Sequence, residues 1–244
     1  LVKEKPLIVH SYTPKAGLIS MLASFLCRVP IRIHTFTGLI FPTSIGVKRK
    51  VLMAMDALIC KCATVVVPEG AGVKNDLERH NITQKKLNVI GHGNIAGVDV
   101  SHFSRKRVKS NEVATLIEKY AIKKGEFIFC YVGRLAEDKG LKELYYAFHQ
   151  LPENCRLLLI GGEDSRDSIN SNILNQLKVH PRVIFAGHQN DIRPFLFISD
   201  VFVLPSYREG FPNSPLEAGA MELPCILTNI NGSTNYSAVA LDGS

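Results

Sequence analysis

The chain has 244 residues, 46% of them apolar and 21% charged, which is ordinary for a globular protein and long enough for one large domain or two average ones. No apolar stretch reaches the roughly 18 residues needed to span a bilayer, and six cysteines without a C-x-x-C pair argue against a zinc knuckle or a disulfide framework and for a reducing compartment. The net charge of +7 is uneven: residues 1–110 hold 17 Lys/Arg against 6 Asp/Glu, and residues 111–244 hold 12 against 16.

In chain order, β-branched apolar runs predict strands at 7–10, 31–36, 64–67 and 87–90, then at 127–132, 156–160, 183–186, 201–204 and 225–228. Helical periodicity fills the gaps at 17–28, 47–61, 69–80, 112–120, 141–151, 168–180, 191–199 and 214–221. Strands apolar on both faces and separated by single helices predict parallel sheets covered on both sides, with ligand crevices at the strands' carboxyl ends. The glycine-rich stretch 91–99 and the basic run 105–109 break this alternation. With the charge step they predict two doubly wound, Rossmann-like α/β domains, 1–105 and 106–244, the first incomplete. The start has neither an initiator Met nor an apolar leader, and the end stops without closure, so the chain reads as a fragment of a longer protein.

Two segments carry chemistry. Gly133-Arg134-Leu135-Ala136-Glu137-Asp138-Lys139-Gly140 follows an apolar run and ends where a helix begins. Gly133 ends the strand and can adopt a positive φ. Arg134 suits bidentate contact with phosphate oxygens, Lys139 adds a compact charge, and a helix N-terminus favours an anion. The plainer alternative is an ordinary turn with solvated cations. The second segment, Glu209-Gly210-Phe211-Pro212-Asn213-Ser214-Pro215-Leu216-Glu217, leaves another buried run and enters a helix capped by Asn213 or Ser214. Glu217 then lies early in the helix, placed to accept from vicinal hydroxyls, and Glu209 lies in the loop. The plainer alternative is two surface glutamates. Together the loops read as a nucleotide-sugar site.

These motifs, with Val9-His10-Ser11-Tyr12-Thr13-Pro14-Lys15-Ala16-Gly17, Arg32-Ile33-His34-Thr35-Phe36-Thr37-Gly38 and Val67-Pro68-Glu69-Gly70, resemble the family 4 retaining glycosyltransferases of the GT-B fold, bacterial surface-polysaccharide type. The resemblance covers nearly the whole chain. It implies transfer of a hexosyl or N-acetylhexosaminyl group from a nucleoside-diphosphate-sugar to a glycan or lipid-linked acceptor, without a metal or other cofactor. It also implies that Arg134 and Lys139 hold the diphosphate beside Gly133, and that Glu217 binds the ribose. Glu209 and the backbone of Gly210, Phe211, Pro212 and Asn213 would contact the transferred sugar. In many members a histidine stands where this chain has Thr37. His34 lies three residues earlier and on the opposite side of a strand, so it is either a site residue or a core histidine. His10 at a strand end and Glu69 at a helix start are further candidates, set against a backbone-bonded histidine and a first-turn acid. Glu137 and Asp138 read as solvated loop acids.

The basic first half suits an anionic membrane surface, which implies a cytoplasmic protein peripherally bound to the inner face of the plasma membrane. Nucleic acid is not expected, since no recognition motif or aromatic interleaving accompanies the charges. Alternatives in function are a non-catalytic nucleotide-sugar-binding protein and a GT-B-like sugar-nucleotide epimerase.

Overall fold

The computed structural model describes residues 1–163, 170–230 and 232. It divides the chain into two compact units. The first comprises Leu1–Ile95 with Arg208–Pro212, and the second Ala96–Tyr207 with Asn213–Thr228.

The first unit is built on a parallel three-stranded sheet, β1 (Ile8–Ser11), β2 (Ile31–Phe36) and β3 (Val65–Pro68), in that order. Helix α1 (Pro14–Leu26) starts on a proline, whose missing N–H costs nothing in a first turn. Helix α2 (Gly46–Cys62) and α3 (Ala71–Arg79) follow β2 and β3. Met21, Phe36, Phe41, Ile59 and Leu77 form the fully buried centre of its core. Lys85 closes the end of α2 by donating its ammonium to the carbonyls of Cys60, at 2.6 Å, and Ala63. Cationic ends of this kind satisfy the last carbonyls of a helix. Segment 87–90, expected as a strand, is not one. Leu87 alternates correctly into the core, but no ladder hydrogen bond among the described residues joins this segment to β3. Apolar alternation set the side-chain directions there without any edge pairing.

In the second unit a five-stranded parallel sheet runs in the order β6-β5-β4-β7-β8, from β4 (Phe127–Val132), β5 (Cys155–Ile160), β6 (Val183–Gly187), β7 (Val201–Leu204) and β8 (Cys225–Leu227). Helices α4 (Ser110–Lys119), α5 (Leu141–His149), α6 (Ser171–Val179), α7 (Arg193–Phe197) and α8 (Asn213–Ala220) accompany it. Leu157, Leu158 and Leu159 are all fully buried, so β5 is covered on both faces as its unbroken apolar run requires. The chain winds from β4 out to β6 and then crosses back to β7 on the other side of β4. That reversal puts the switch point, where ligands lodge in open α/β sheets, at the carboxyl end of β4.

Three details depart from the sequence expectation. Helix α7 has five residues instead of the nine expected: it opens at Arg193, whose N–H donates to Asp191 Oδ1 at 3.0 Å, with Pro194 in its first turn. Residues 168 and 169 of the expected sixth helix lie outside the described residues, and α6 opens after Asn170, whose side chain accepts from the Asn172 N–H at 2.9 Å. Arg105, part of the basic run at 105–109 that was expected only as a break in the alternation, is a staple. Its guanidinium donates to the carbonyls of Phe197 and Met221 at 3.1 and 3.3 Å and lies 4.5 Å above the Phe197 ring.

Candidate functional site

At the switch point the strand ends are stitched by backbone. The Gly133 N–H donates to the Ile160 carbonyl at 3.0 Å, Leu135 N–H to Gly162 at 2.9 Å, and Gly161 N–H to Gly187 at 2.9 Å. Gly133 does not use its freedom to adopt a positive φ. Its requirement is steric: a Cβ there would stand 2.8 Å from the Tyr131 hydroxyl, which donates to the Arg134 carbonyl at 2.7 Å and fixes the turn. Gly161 is tighter still, with φ of +146° and its Cβ position 1.8 Å from the Gly133 oxygen.

Above these glycines lies a cavity of about 360 Å³, walled by Gly133, Arg134, Gly161, Gly162, the loop from His188 to Ile192, His102, Phe103 and Glu217. The size suits a small organic ligand. Glu217, the fifth residue of α8, is half-buried; desolvation raises its carboxyl above the ordinary value, and nearby His102 partly opposes this. Asp191 is held below the usual carboxylate range, first by hydrogen bonds from Arg193, whose Nη2 is 2.5 Å from Oδ2. One arginine and two half-buried carboxylates, Glu217 and Asp191, thus line a single cavity over glycine backbone. The arrangement can pair a cation with an anionic group and offer an acceptor to hydroxyls.

Lys139 is not in these walls. It ends a 3₁₀ turn (Glu137–Lys139), is only 9% exposed, and its ammonium is 4.0 Å from Asp138 Oδ2, so that acid is an ion partner and not a solvated one. Gly140 caps α5 in the left-handed region at φ +67°, and a Cβ there would fall 2.0 Å from the Pro205 carbonyl. The Tyr207 N–H donates to the Asp138 carbonyl at 2.9 Å. The turn after β4 and the chain leaving β7 are therefore in contact, which brings the two motif-bearing segments together. Asn213 is exposed at the start of α8.

The other expected site residues belong to the first unit. His10, at the end of β1, hydrogen-bonds through Nε2 with Thr35 Oγ1 at 2.8 Å, and through Nδ1 with the Tyr12 hydroxyl at 3.1 Å. Burial holds its imidazole below the ordinary value. His34 is a core residue as placed: fully buried, with Nδ1 2.8 Å from Ser11 Oγ and its ring edge-on to Phe36 at 4.5 Å. Desolvation, with His10 adding to it, lowers its pKa to about 4. Gly17 makes this burial possible, since a Cβ there would come within 2.3 Å of the His34 ring. Glu69 does not open a helix; it precedes α3, which starts at Ala71. It is buried, and desolvation raises its carboxyl, with Glu209 reinforcing and the Ile95 N–H opposing. Gly210, Phe211 and Pro212 sit in the same unit, buried or half-buried.

Of the residues anticipated, then, Gly133, Arg134 and Glu217 share a cavity. Sequence reasoning missed His102, His188, Asn190 and Asp191. The Gly161-Gly162 pair after a buried run was a usable signal for one wall; the 188–192 loop has no periodicity to read. Among the described residues no group of three or more His, Cys, Asp or Glu is placed to hold a metal, and no helix is long and apolar enough to cross a membrane.

Residues 112–240 match the family model described as glycosyl transferases group 1. The capsular polysaccharide biosynthesis glycosyltransferase CapM of Staphylococcus aureus is 37% identical over 235 residues, covering 94% of this chain and 60% of that protein. The UDP-Gal:alpha-D-GlcNAc-diphosphoundecaprenol alpha-1,3-galactosyltransferase of Escherichia coli is 30% identical over 255 residues, covering all of this chain and 63% of that protein. The chain thus spans about 60% of the length of the curated relatives it matches. Among solved structures, Anabaena HepE in complex with UDP and glucose superposes with a TM-score of 0.80 at 18% identity, over 95% of this chain and 62% of that one, a likeness of fold.

Proposed function

The chain belongs to the glycosyl transferases group 1 family, and from that premise we propose that the protein moves a sugar, with retention of configuration, from a nucleoside-diphosphate-sugar to a glycan or lipid-linked acceptor in cell-surface polysaccharide synthesis. The observation that carries this reading is the cavity at the switch point, which Arg134 and Glu217 both line together with Gly133, Gly161 and Gly162. Arg134 grips the diphosphate, and Lys139 and the N-terminus of α5 add positive potential. Together they stabilise the charge that develops on the leaving group, so no metal ion is required. Glu217 accepts from the ribose hydroxyls. Glu209 and the backbone of residues 210–213 address the transferred sugar. The names of the relatives support a lipid-diphosphate acceptor, and the UDP and glucose held by HepE support the donor class.

The basic face of α2 suits attachment to the cytoplasmic surface of an anionic membrane. Lys48 and Lys50 are exposed there beside exposed Ile45, Val47 and Val51, whereas Arg49 turns inward to His80 at 2.9 Å. Each exposed basic residue near such a surface contributes about 1 kcal/mol.

The test is incubation of the protein with UDP-, GDP- and dTDP-sugars, reading thermal shift and released nucleoside diphosphate with and without a polyprenyl-diphosphate glycan. Acceptor-dependent release from one donor supports transfer. A thermal shift without release marks a binding protein, and neither response rejects the donor assignment.

A further inference from the structure

Residues 209–212 carry the carboxylate and the backbone that the transferase reading assigns to the sugar. They pack with the first unit, although the strand before them and the helix after them are in the second. Close backbone approaches seat them. A Cβ on Gly210 would stand 2.0 Å from the Thr37 carbonyl oxygen and 2.6 Å from Glu69 Oε2. One on Gly93 would stand 2.7 Å from the Glu69 carbonyl oxygen and 3.0 Å from the Phe211 ring.

Asn94 adds the side-chain tie. Its Nδ2 donates to the Phe211 carbonyl at 3.0 Å while its backbone N–H donates to the Glu69 carbonyl at 2.9 Å. It stands at φ +56°, in the left-handed region that asparagine tolerates better than most residues. The backbone at 93–94 is thus turned so that this one amide reaches residue 211.

We propose that Asn94 is a positioning residue for transfer: by holding the Phe211 carbonyl it fixes the orientation of Glu209 and its neighbouring peptide groups at the reacting sugar. The proposal rests on the transferase reading. The nucleotide cavity includes none of residues 208–212, so a loosened loop leaves nucleotide affinity intact and misplaces only the sugar. Misplacement on the scale of 1 Å costs up to about 100-fold in rate.

Two variants test it. Asn94→Asp keeps size and backbone preference but sets a carboxylate against the Phe211 carbonyl, and Asn94→Gly keeps the left-handed backbone and removes the amide. Each is measured for kcat and KM with the nucleotide sugar that the unaltered protein turns over, for Kd with the matching nucleoside diphosphate, and for Tm. Both variants are expected to lose about 10- to 100-fold in kcat, with Kd within about twofold and Tm unchanged within a few degrees. Unchanged kcat in both variants overturns the proposal. So does a Kd that weakens in step with kcat, or a fall in Tm that accounts for the lost activity, since either marks a merely structural residue. Absence of turnover by the unaltered protein with every donor instead rejects the transferase reading on which the proposal stands.

Discussion

The two units present polar groups at strand ends in opposite ways. In the second, the carboxyl ends of β4 and β5 are glycine backbone at van der Waals limits, and the charged side chains stand at the walls. In the first, the ends of β1 and β2 carry side chains bonded in pairs, His10 with Thr35 and Ser11 with His34, and one histidine is sealed in the core. Backbone floors leave room for a ligand; paired side chains fill the room with protein. On the proposed reading the second unit therefore holds the donor, and the first holds shape around the loop at 209–212.

The contrast breaks most visibly at Arg134. Arg134→Ala is expected to cut turnover by about 100- to 1,000-fold, the scale seen when one preorganised charge-stabilising group is removed. Lys139→Ala should cut turnover by a similar order through its closed turn, and Lys139→Arg should rescue it poorly, because a planar fork does not fit a space shaped to an ammonium. Initial-rate measurement decides; normal turnover in either alanine variant removes the diphosphate role from this loop.

Next in size is Glu217→Ala, expected to weaken nucleotide binding by about 10- to 100-fold, as loss of hydrogen bonds to a charged acceptor implies. Isothermal titration with the nucleoside diphosphate should show this while the melting temperature holds. Equal affinity in the variant would move the ribose site elsewhere.

A smaller effect tests the first unit without touching the donor. Asp56 is buried in α2, and desolvation raises its pKa from 3.8 to about 7. Its folded-state value exceeds its unfolded one, so its protonated form supports the fold fully below about pH 4. That support is lost as pH rises through about 7. Asp56→Asn should therefore flatten the decline in stability between these values and gain about 2 kcal/mol at pH 8, half of what the full displacement implies, because relaxation softens burial. Denaturant melts at pH 4 and pH 8 check it; a variant that loses stability at both would show that the carboxylate is needed. Smallest is the surface term: Lys48→Glu with Lys50→Glu should weaken liposome binding, at about 1 kcal/mol per residue, only on anionic vesicles and only at low salt. Equal binding to neutral vesicles would dismiss the electrostatic docking.

What the sequence made legible follows from the same contrast. Buried β-branched runs and glycine punctuation mark strands and their ends, so every strand of the second sheet and the helix start after Gly140 could be read, and Arg134 and Glu217, expected together, line a common cavity. Pairing partners are not written in periodicity. Residues 87–90 alternate like a strand yet lack a ladder, and His34 stays open between site and core until Gly17, seventeen positions earlier, is seen to open the space that buries it. Charge runs mislead for a related reason: Arg105 is a cation whose partners, Phe197 and Met221, come from distant segments and leave it half-buried.

The floor of the cavity also constrains how such a site changes over generations. A side chain at Gly133 would displace the Tyr131 hydroxyl and one at Gly161 the backbone of Gly133, so substitution there disturbs the fold before it alters the ligand. Heritable variation in what the cavity accepts is thereby channelled to its exposed rim residues, His102, His188 and Asn190. A lineage can exchange one ligand for another while its floor stays the same, and the place to look for that record is the least periodic stretch of the chain.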